Sequence, residues 1–117
     1  MEQLNNLPLI DWELALRLAG NKHDLAKEIL DLFVKMLPDD LSAINQLHQT
    51  QNHSELLRRV HKLHGAICYC GVPRLKNIIA RIEIELKNNI VLNLPFLLDQ
   101  FNSEANLVLE HYSTHTE

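Results

Sequence analysis

Residues 53–73 read HSELLRRVHKLHGAICYCGVP, and they encode one amphipathic helix followed by a tight turn. Apolar residues recur here at intervals of three and four positions, which is the spacing of one face of an α-helix. These residues are Leu56, Val60, Leu63, Ile67 and Cys70. Asn52 and Glu55 form a capping-box pattern at the start of the helix. Gly71 is suited to end it, and Pro73 to begin the next helix.

Two helices are predicted upstream of this stretch. Asp11 is a suitable N-cap for a short helix over residues 11–19. Its expected inward face comprises Trp12, Ala15, Leu16 and Ala19. A long helix follows over residues 22–49, and we expect it to continue through a kink at Pro38. Its expected apolar stripe comprises Leu25, Ile29, Leu32, Phe33 and Met36.

Two helices are predicted downstream, one from Pro73 to the break at Asn88 and one from Pro95 to Tyr112. The expected core residues of the last helix are Phe96, Leu97, Phe101, Ala105, Val108 and Tyr112. The predicted fold is all-α, an antiparallel up-and-down four-helix bundle with a short extra N-terminal helix. We expect residues 1–10 to be an N-terminal extension, residues 11–112 the bundle, and residues 113–117 a loose tail.

The composition restricts the class of partner. A chain of 117 residues supports one hydrophobic core. Its net charge of -4 does not indicate the basic surface that binds nucleic acid or an anionic membrane. Protein partners are therefore expected, without nucleic-acid or membrane contact. The sequence shows neither a membrane-spanning apolar run nor a signal-peptide pattern, which predicts a cytoplasmic location. Cys68 and Cys70 are expected to be reduced thiols.

His61 is the residue most suited to chemistry. Its neighbour Val60 faces inward, so His61 lies at the edge between core and solvent, where a ring nitrogen is accessible. Gly65 follows one turn later, although glycine inside a helix costs roughly 1 kcal/mol relative to alanine. The missing side chain would let another protein approach His61.

Glu83 is predicted to lie beside His61. The two residues are each 11 positions from Val72, so two antiparallel helices joined there place them at the same level. A carboxylate at that position can accept a hydrogen bond from one imidazole nitrogen. The other nitrogen is then left unprotonated, as a nucleophile requires.

The run His61-Lys62-Leu63-His64-Gly65 resembles the H-x-L-K-G signature of histidine-containing phosphotransfer domains. Gly71 matches the glycine that closes the helix in that family, and His64 stands where the family usually has lysine. The wider run of residues 61–77 is most similar to the C-terminal domain of BarA-type hybrid sensor kinases.

The resemblance implies a phosphorelay intermediate of two-component signalling. His61 would accept a phosphoryl group from a receiver-domain aspartate, with Glu83, His64 and Gly65 in support. The expected partners are response-regulator receivers. The resemblance also implies a hybrid sensor kinase as the parent chain to which this domain would belong. The domain itself needs no cofactor, because the receiver supplies Mg²⁺. Because the sequence has no ATP-binding motif, the domain is expected to be a non-enzymatic relay. We also expect it to be a monomer.

Other interpretations remain open at this stage. Leu14 and Leu18 form a second apolar stripe, which is either additional core packing or, with Arg58 and Lys62, part of a receiver-docking surface. The whole chain is alternatively a noncatalytic helical adaptor. A zinc site on His61, His64 and Cys68 has the right helical spacing but lacks a fourth ligand, so no metal is predicted.

Overall fold

The structure is a computed structural model that describes residues 7–115. Five helices make up the described part of the chain, which contains no strand. In chain order they are α1 (Trp12–Leu18), α2 (His23–Gln49), α3 (His53–Ile67), α4 (Pro73–Lys87) and α5 (Leu94–His115). The predicted all-α class and the existence of each helix are confirmed.

Local sequence signals account for the helix ends. The side chain of Asp11 caps α1 by accepting a hydrogen bond from the backbone N–H of Leu14 at 3.0 Å. Asn52 caps α3 in the same way, through the N–H of Glu55. Pro73 occupies the first turn of α4, where its missing N–H leaves no bond unmade. The helix α2 begins after Lys22, which forms no side-chain cap.

The helix α2 is continuous through Pro38, as predicted. Proline lacks the N–H that would bond to the carbonyl of Val34, and α2 nevertheless extends unbroken for 27 residues. At the other end of the chain, α5 runs to His115, three residues beyond its predicted end. Residues 113–115, expected to belong to a loose tail, are therefore helical, and 116–117 lie outside the described residues together with 1–6 of the predicted extension.

Helices α2 to α5 form a closed bundle, in which each helix packs against the next and α5 packs back against α2. The connections between them are short, so neighbouring helices run antiparallel. The core is an apolar cluster drawn from all four helices. Its fully buried members include Leu30, Leu37, Ile44, Leu56, Val60, Leu75, Ile79, Ile82, Phe101 and Val108.

Polar pairs join the helices around this core. The side-chain amides of Asn45 and Asn102 exchange two hydrogen bonds of 2.9 Å between α2 and α5. Asp40 accepts a hydrogen bond from Arg59, which joins α2 to α3. In this partly buried amide pair, each side chain satisfies a donor and an acceptor of the other.

The short helix α1 is attached at the turn between α3 and α4. Gly71 has a φ of +70°, and its carbonyl accepts a 2.8 Å hydrogen bond from the N–H of Asp11. A Cβ on Gly71 would lie 2.8 Å from the Cβ of Ala15. The glycine is thus required both by the backbone conformation and by the close approach of α1.

The core prediction is wrong for several residues, which are exposed in the structure. The inward stripe of α2 passes through Ala26, Leu30, Phe33 and Leu37, one position later than predicted, so Leu25, Leu32 and Met36 are exposed. One residue corresponds to a rotation of about 100°, enough to turn a side chain from core to solvent. Trp12 is also exposed and stacks on Tyr112, while Phe96 is exposed on α5.

Candidate functional site

The site is built on facing positions of α3 and α4. The Nδ1 atom of His61 lies 2.5 Å from Oε2 of Glu83, so the prediction that the two residues share one level is confirmed. The side chain of His61 is 72% exposed, whereas that of Glu83 is 6% exposed. The histidine therefore reaches solvent while its hydrogen-bond partner stays inside the protein.

Glu83 is ionised over the whole physiological range. Burial is the largest single influence and opposes ionisation, but hydrogen bonds from His64, His61 and Lys87 together outweigh it and lower the pKa of Glu83 to about 2. A carboxylate has no hydrogen to donate, so the proton in its bond with His61 belongs to Nδ1. The neutral imidazole then carries its lone pair on Nε2.

His64 binds the second oxygen of the same carboxylate. Its Nδ1 lies 2.6 Å from Oε1 of Glu83, and its side chain is 25% exposed, much less than that of His61. The sequence motif placed His64 near His61 but did not predict that the two would share one carboxylate. They do so because residues three positions apart lie on the same side of a helix.

Lys87 was not predicted as part of the site. Its Nζ lies 3.3 Å from Oε2 of Glu83 and its side chain is 57% exposed. The two residues are four positions apart on α4, which is the spacing of a helical ion pair, so a search for such pairs around Glu83 would have found it. Glu83 is thus surrounded by three nitrogen donors.

Gly65 lies on the exposed side of α3, one turn after His61. A Cβ added there would have no atom within 4 Å outside its own helix and immediate neighbours. No contact within the described chain therefore accounts for this glycine. Its position leaves the approach to His61 open from solvent.

The predicted docking residues fall into two groups. Leu14 and Leu18 line an apolar groove near the end of α3, together with Ile67 and Cys68. Arg58 and Lys62 are exposed on α3 itself, where Arg58 lies 3.7 Å from Glu55. Leu18 is 41% exposed, so it contributes to the surface as well as to the groove.

A second apolar groove lies between α2 and α3 and was not predicted. Leu32, Met36 and Tyr69 line it and are all at least 50% exposed, and Ile29 and Ala66 complete its walls. The one-residue error in the stripe of α2 concealed this groove, because it assigned Leu32 and Met36 to the core. We call the surface of Leu32, Met36 and Tyr69 the α2–α3 groove.

The described cysteines are free thiols, as predicted. Burial, and after it the neighbouring Cys68, raise the pKa of Cys70 to about 12, so Cys70 remains a protonated core residue. In the part of the chain whose side chains the structure describes, no three histidine, cysteine or acidic side chains are arranged to hold a metal ion. The same part of the chain contains no helix that is both long and apolar enough to span a bilayer.

Comparison with known proteins identifies the family. The Hpt domain family model matches residues 28–111. The chain is 39% identical over 79 residues to the signal transduction histidine-protein kinase BarA of Escherichia coli, and 42% identical over 81 residues to the sensor protein GacS of Pseudomonas syringae. These matches cover 68% and 69% of the chain, and in each case 9% of the relative's length.

A solved structure agrees. The HPT domain of a sensor hybrid histidine kinase from Shewanella superposes with a TM-score of 0.77 at 31% identity, covering 93% of this chain and 97% of that one. The helical bundle and these matches together define the class of protein, a histidine phosphotransfer domain. The chain belongs to the Hpt domain family and is homologous to the corresponding regions of BarA and GacS.

Proposed function

We propose that His61 carries the phosphoryl group, through Nε2, between the aspartates of two receiver domains. The observation that supports this most directly is the hydrogen bond from His61 Nδ1 to Glu83. It directs the lone pair of an exposed ring to Nε2, while Glu83 stays ionised below it. A positioned nucleophile and a partner that brings an activated phosphate are sufficient for transfer.

The transfer needs no proton to move at His61. The Nε2 lone pair attacks the phosphorus of the aspartyl phosphate, the P–N bond forms, and the P–O bond to the receiver's carboxylate breaks. The carboxylate leaves with the bonding electrons. The product ring keeps its Nδ1–H and gains a positive charge, which the anionic Glu83 stabilises as the buried aspartate does in a serine protease triad. The reverse reaction delivers the phosphate to a second receiver.

The receiver supplies the remaining chemistry in this proposal. The sequence has no P-loop and no acidic magnesium cluster, so Mg²⁺ and the acyl phosphate come with the partner. The domain acts as a relay without enzymatic turnover of ATP. By analogy with its relatives, we place it at the cytoplasmic end of a hybrid sensor kinase, as a monomeric module.

We place receiver docking on the exposed side of α3. His61, Lys62 and Gly65 form its centre, with the α2–α3 groove on one flank and the groove of Leu14 and Leu18 on the other. Apolar grooves on both sides of an accessible nucleophile suit a partner that buries hydrophobic residues around its active site. Lys62 and Arg58 add positive charge for the anionic phosphate.

The test is transfer from a phosphorylated receiver to the chain and to His61→Gln. Both proteins should show the same helical circular dichroism, because His61 is an exposed edge residue. Only the parent should acquire acid-labile phosphate. Equal labelling of the two proteins would remove the proposal, and absence of labelling with every receiver tried would favour the noncatalytic adaptor.

A further inference from the structure

Two histidines share the carboxylate of Glu83, although the proposed reaction uses only one of them. His61 donates to Oε2 and His64 to Oε1, at 2.5 and 2.6 Å. The two oxygens are rigidly joined through one carbon atom. Any group that fixes Oε1 therefore also fixes the direction in which Oε2 faces His61.

The other partner of the carboxylate is less able to fix it. Lys87 has a flexible four-carbon stem, is 57% exposed, and contacts the same oxygen as His61. It shares Oε2 with His61 and does not restrain Oε1. His64 is three-quarters buried and its ring has only two rotatable bonds, so it restrains Oε1 at a small loss of side-chain entropy.

From this arrangement we infer that His64 is a positioning residue that acts on His61 through Glu83. The inference rests on the proposed function, in which His61 Nε2 is the nucleophile. His64 holds the carboxylate in the orientation that keeps the proton of His61 on Nδ1. Without it, Glu83 is free to rotate toward Lys87, and His61 then samples the tautomer whose Nε2 is protonated and unreactive.

Two substitutions separate this role from a merely structural one. His64→Leu removes the donor, whereas His64→Asn keeps an N–H group attached at Cγ, as Nδ1 is in histidine. Leucine is the better helix former, so if the role of His64 is only structural, His64→Leu should transfer phosphate faster than His64→Asn. If His64 acts through Glu83, His64→Asn should be the faster of the two. His48→Leu on α2, a half-buried histidine outside the cluster, controls for the loss of an imidazole.

The readouts are the ring ¹⁵N chemical shifts of His61, which report its tautomer, and the rate of transfer from a phosphorylated receiver, both on the full chain. We expect His64→Leu to lower the Nδ1–H fraction of His61 and to slow transfer roughly tenfold. This is the low end of the effect seen when a group that hydrogen-bonds to a metal-binding histidine is removed. His64→Asn should recover much of both, and His48→Leu should match the parent.

Unchanged His61 nitrogen shifts in His64→Leu would overturn the inference, even if the chain transfers phosphate normally. Changed shifts with an unchanged rate would overturn it as well. A rate that falls further in His64→Asn than in His64→Leu would indicate a stability effect and also contradict it. A parent chain that takes no phosphate on His61 would instead contradict the proposed function, whatever the nitrogen shifts of the variants.

Discussion

His61 and Glu83 lie 22 residues apart in the sequence and 2.5 Å apart in the structure, with the histidine in solvent and the carboxylate inside the bundle. Their separation in the chain is set by the turn at Gly71 and Val72, which reverses the chain between α3 and α4. The group that holds the His61 ring is therefore buried beneath it, away from the solvent-facing side.

Replacing Glu83 should slow transfer without abolishing it. In Glu83→Ala, His61 keeps Nε2 but loses the acceptor that selects its tautomer and stabilises the charged product ring. We expect a slowing of roughly tenfold, below the about 10²-fold or more typical of general acid–base groups in dedicated enzymes. Glu83→Gln should be milder, since its amide oxygen can still accept a bond from His61.

Rapid-quench transfer from a phosphorylated receiver measures this effect, after circular dichroism has shown that both variants fold. If the two variants equalled the parent, Glu83 would be a buried charge without influence on His61. If Glu83→Gln were slower than Glu83→Ala, the role assigned to the acceptor oxygen would be wrong.

The low pKa of Glu83 predicts how stability depends on pH. The pKa falls from an ordinary 4.5 to about 2 on folding, so the ionised group stabilises the fold fully above about pH 4.5. That contribution is lost as pH decreases toward 2, where the folded-state carboxylate takes up its proton. The parent should therefore lose stability relative to Glu83→Gln over this interval.

Urea unfolding between pH 7 and pH 3 tests this prediction. The difference in unfolding free energy between the parent and Glu83→Gln should be constant near neutrality and shrink below about pH 4.5. Glu28→Gln, which removes an exposed carboxylate on α2, is the matched control. A difference that stays constant down to pH 3 would show that the hydrogen bonds do not favour the ionised form of Glu83.

Gly65 should limit access and not stability. No neighbouring atom lies within 4 Å of a Cβ at this position, so Gly65→Ala should stabilise α3 by up to about 1 kcal/mol. Gly65→Leu should also be at least as stable as the parent, yet it should transfer phosphate more slowly because its side chain obstructs the receiver. Urea unfolding and transfer kinetics measure the two effects separately, and parental transfer by Gly65→Leu would refute the steric explanation.

The α2–α3 groove should contribute to receiver binding. Met36→Glu places a charge among Leu32 and Tyr69, which an apolar partner surface would have to bury unpaired. We expect the receiver concentration for half-maximal transfer to rise about tenfold, equivalent to about 1.4 kcal/mol, with little change in the rate at saturation. Leu92→Glu, at an 87% exposed position between α4 and α5, should have no effect. Equal behaviour of the two variants would place docking elsewhere.

Much of this arrangement could be predicted from the sequence because it depends on local signals. Asp11, Asn52 and Pro73 begin helices for reasons contained within one turn of chain. The pairing of His61 with Glu83 followed from equal helical rise on either side of one turn. The motifs within residues 61–77 were enough to indicate the family.

Apart from Lys87, which an i, i+4 search within α4 would have found, the features that were missed depend on contacts between helices. Leu32 and Ala26 lie on different sides of α2, and only packing against the other helices decides which side becomes the core. The helical period alone does not distinguish them, because α2 carries apolar residues on both. Similarly, the sharing of Glu83 by His64 depends on side-chain reach across α3 and α4, which a sequence motif does not encode.

The most direct test of the account is to find which nitrogen of which histidine carries the phosphate. The chain has seven histidines with two ring nitrogens each, so phosphate found on the one predicted nitrogen would distinguish this account from every other assignment. After phosphorylation by a receiver, ³¹P and ¹⁵N NMR should show one phosphoryl group, bonded to Nε2 of His61, and His61→Gln should show none. Phosphate on Nδ1 of His61, or on any other histidine of the parent, would contradict the account.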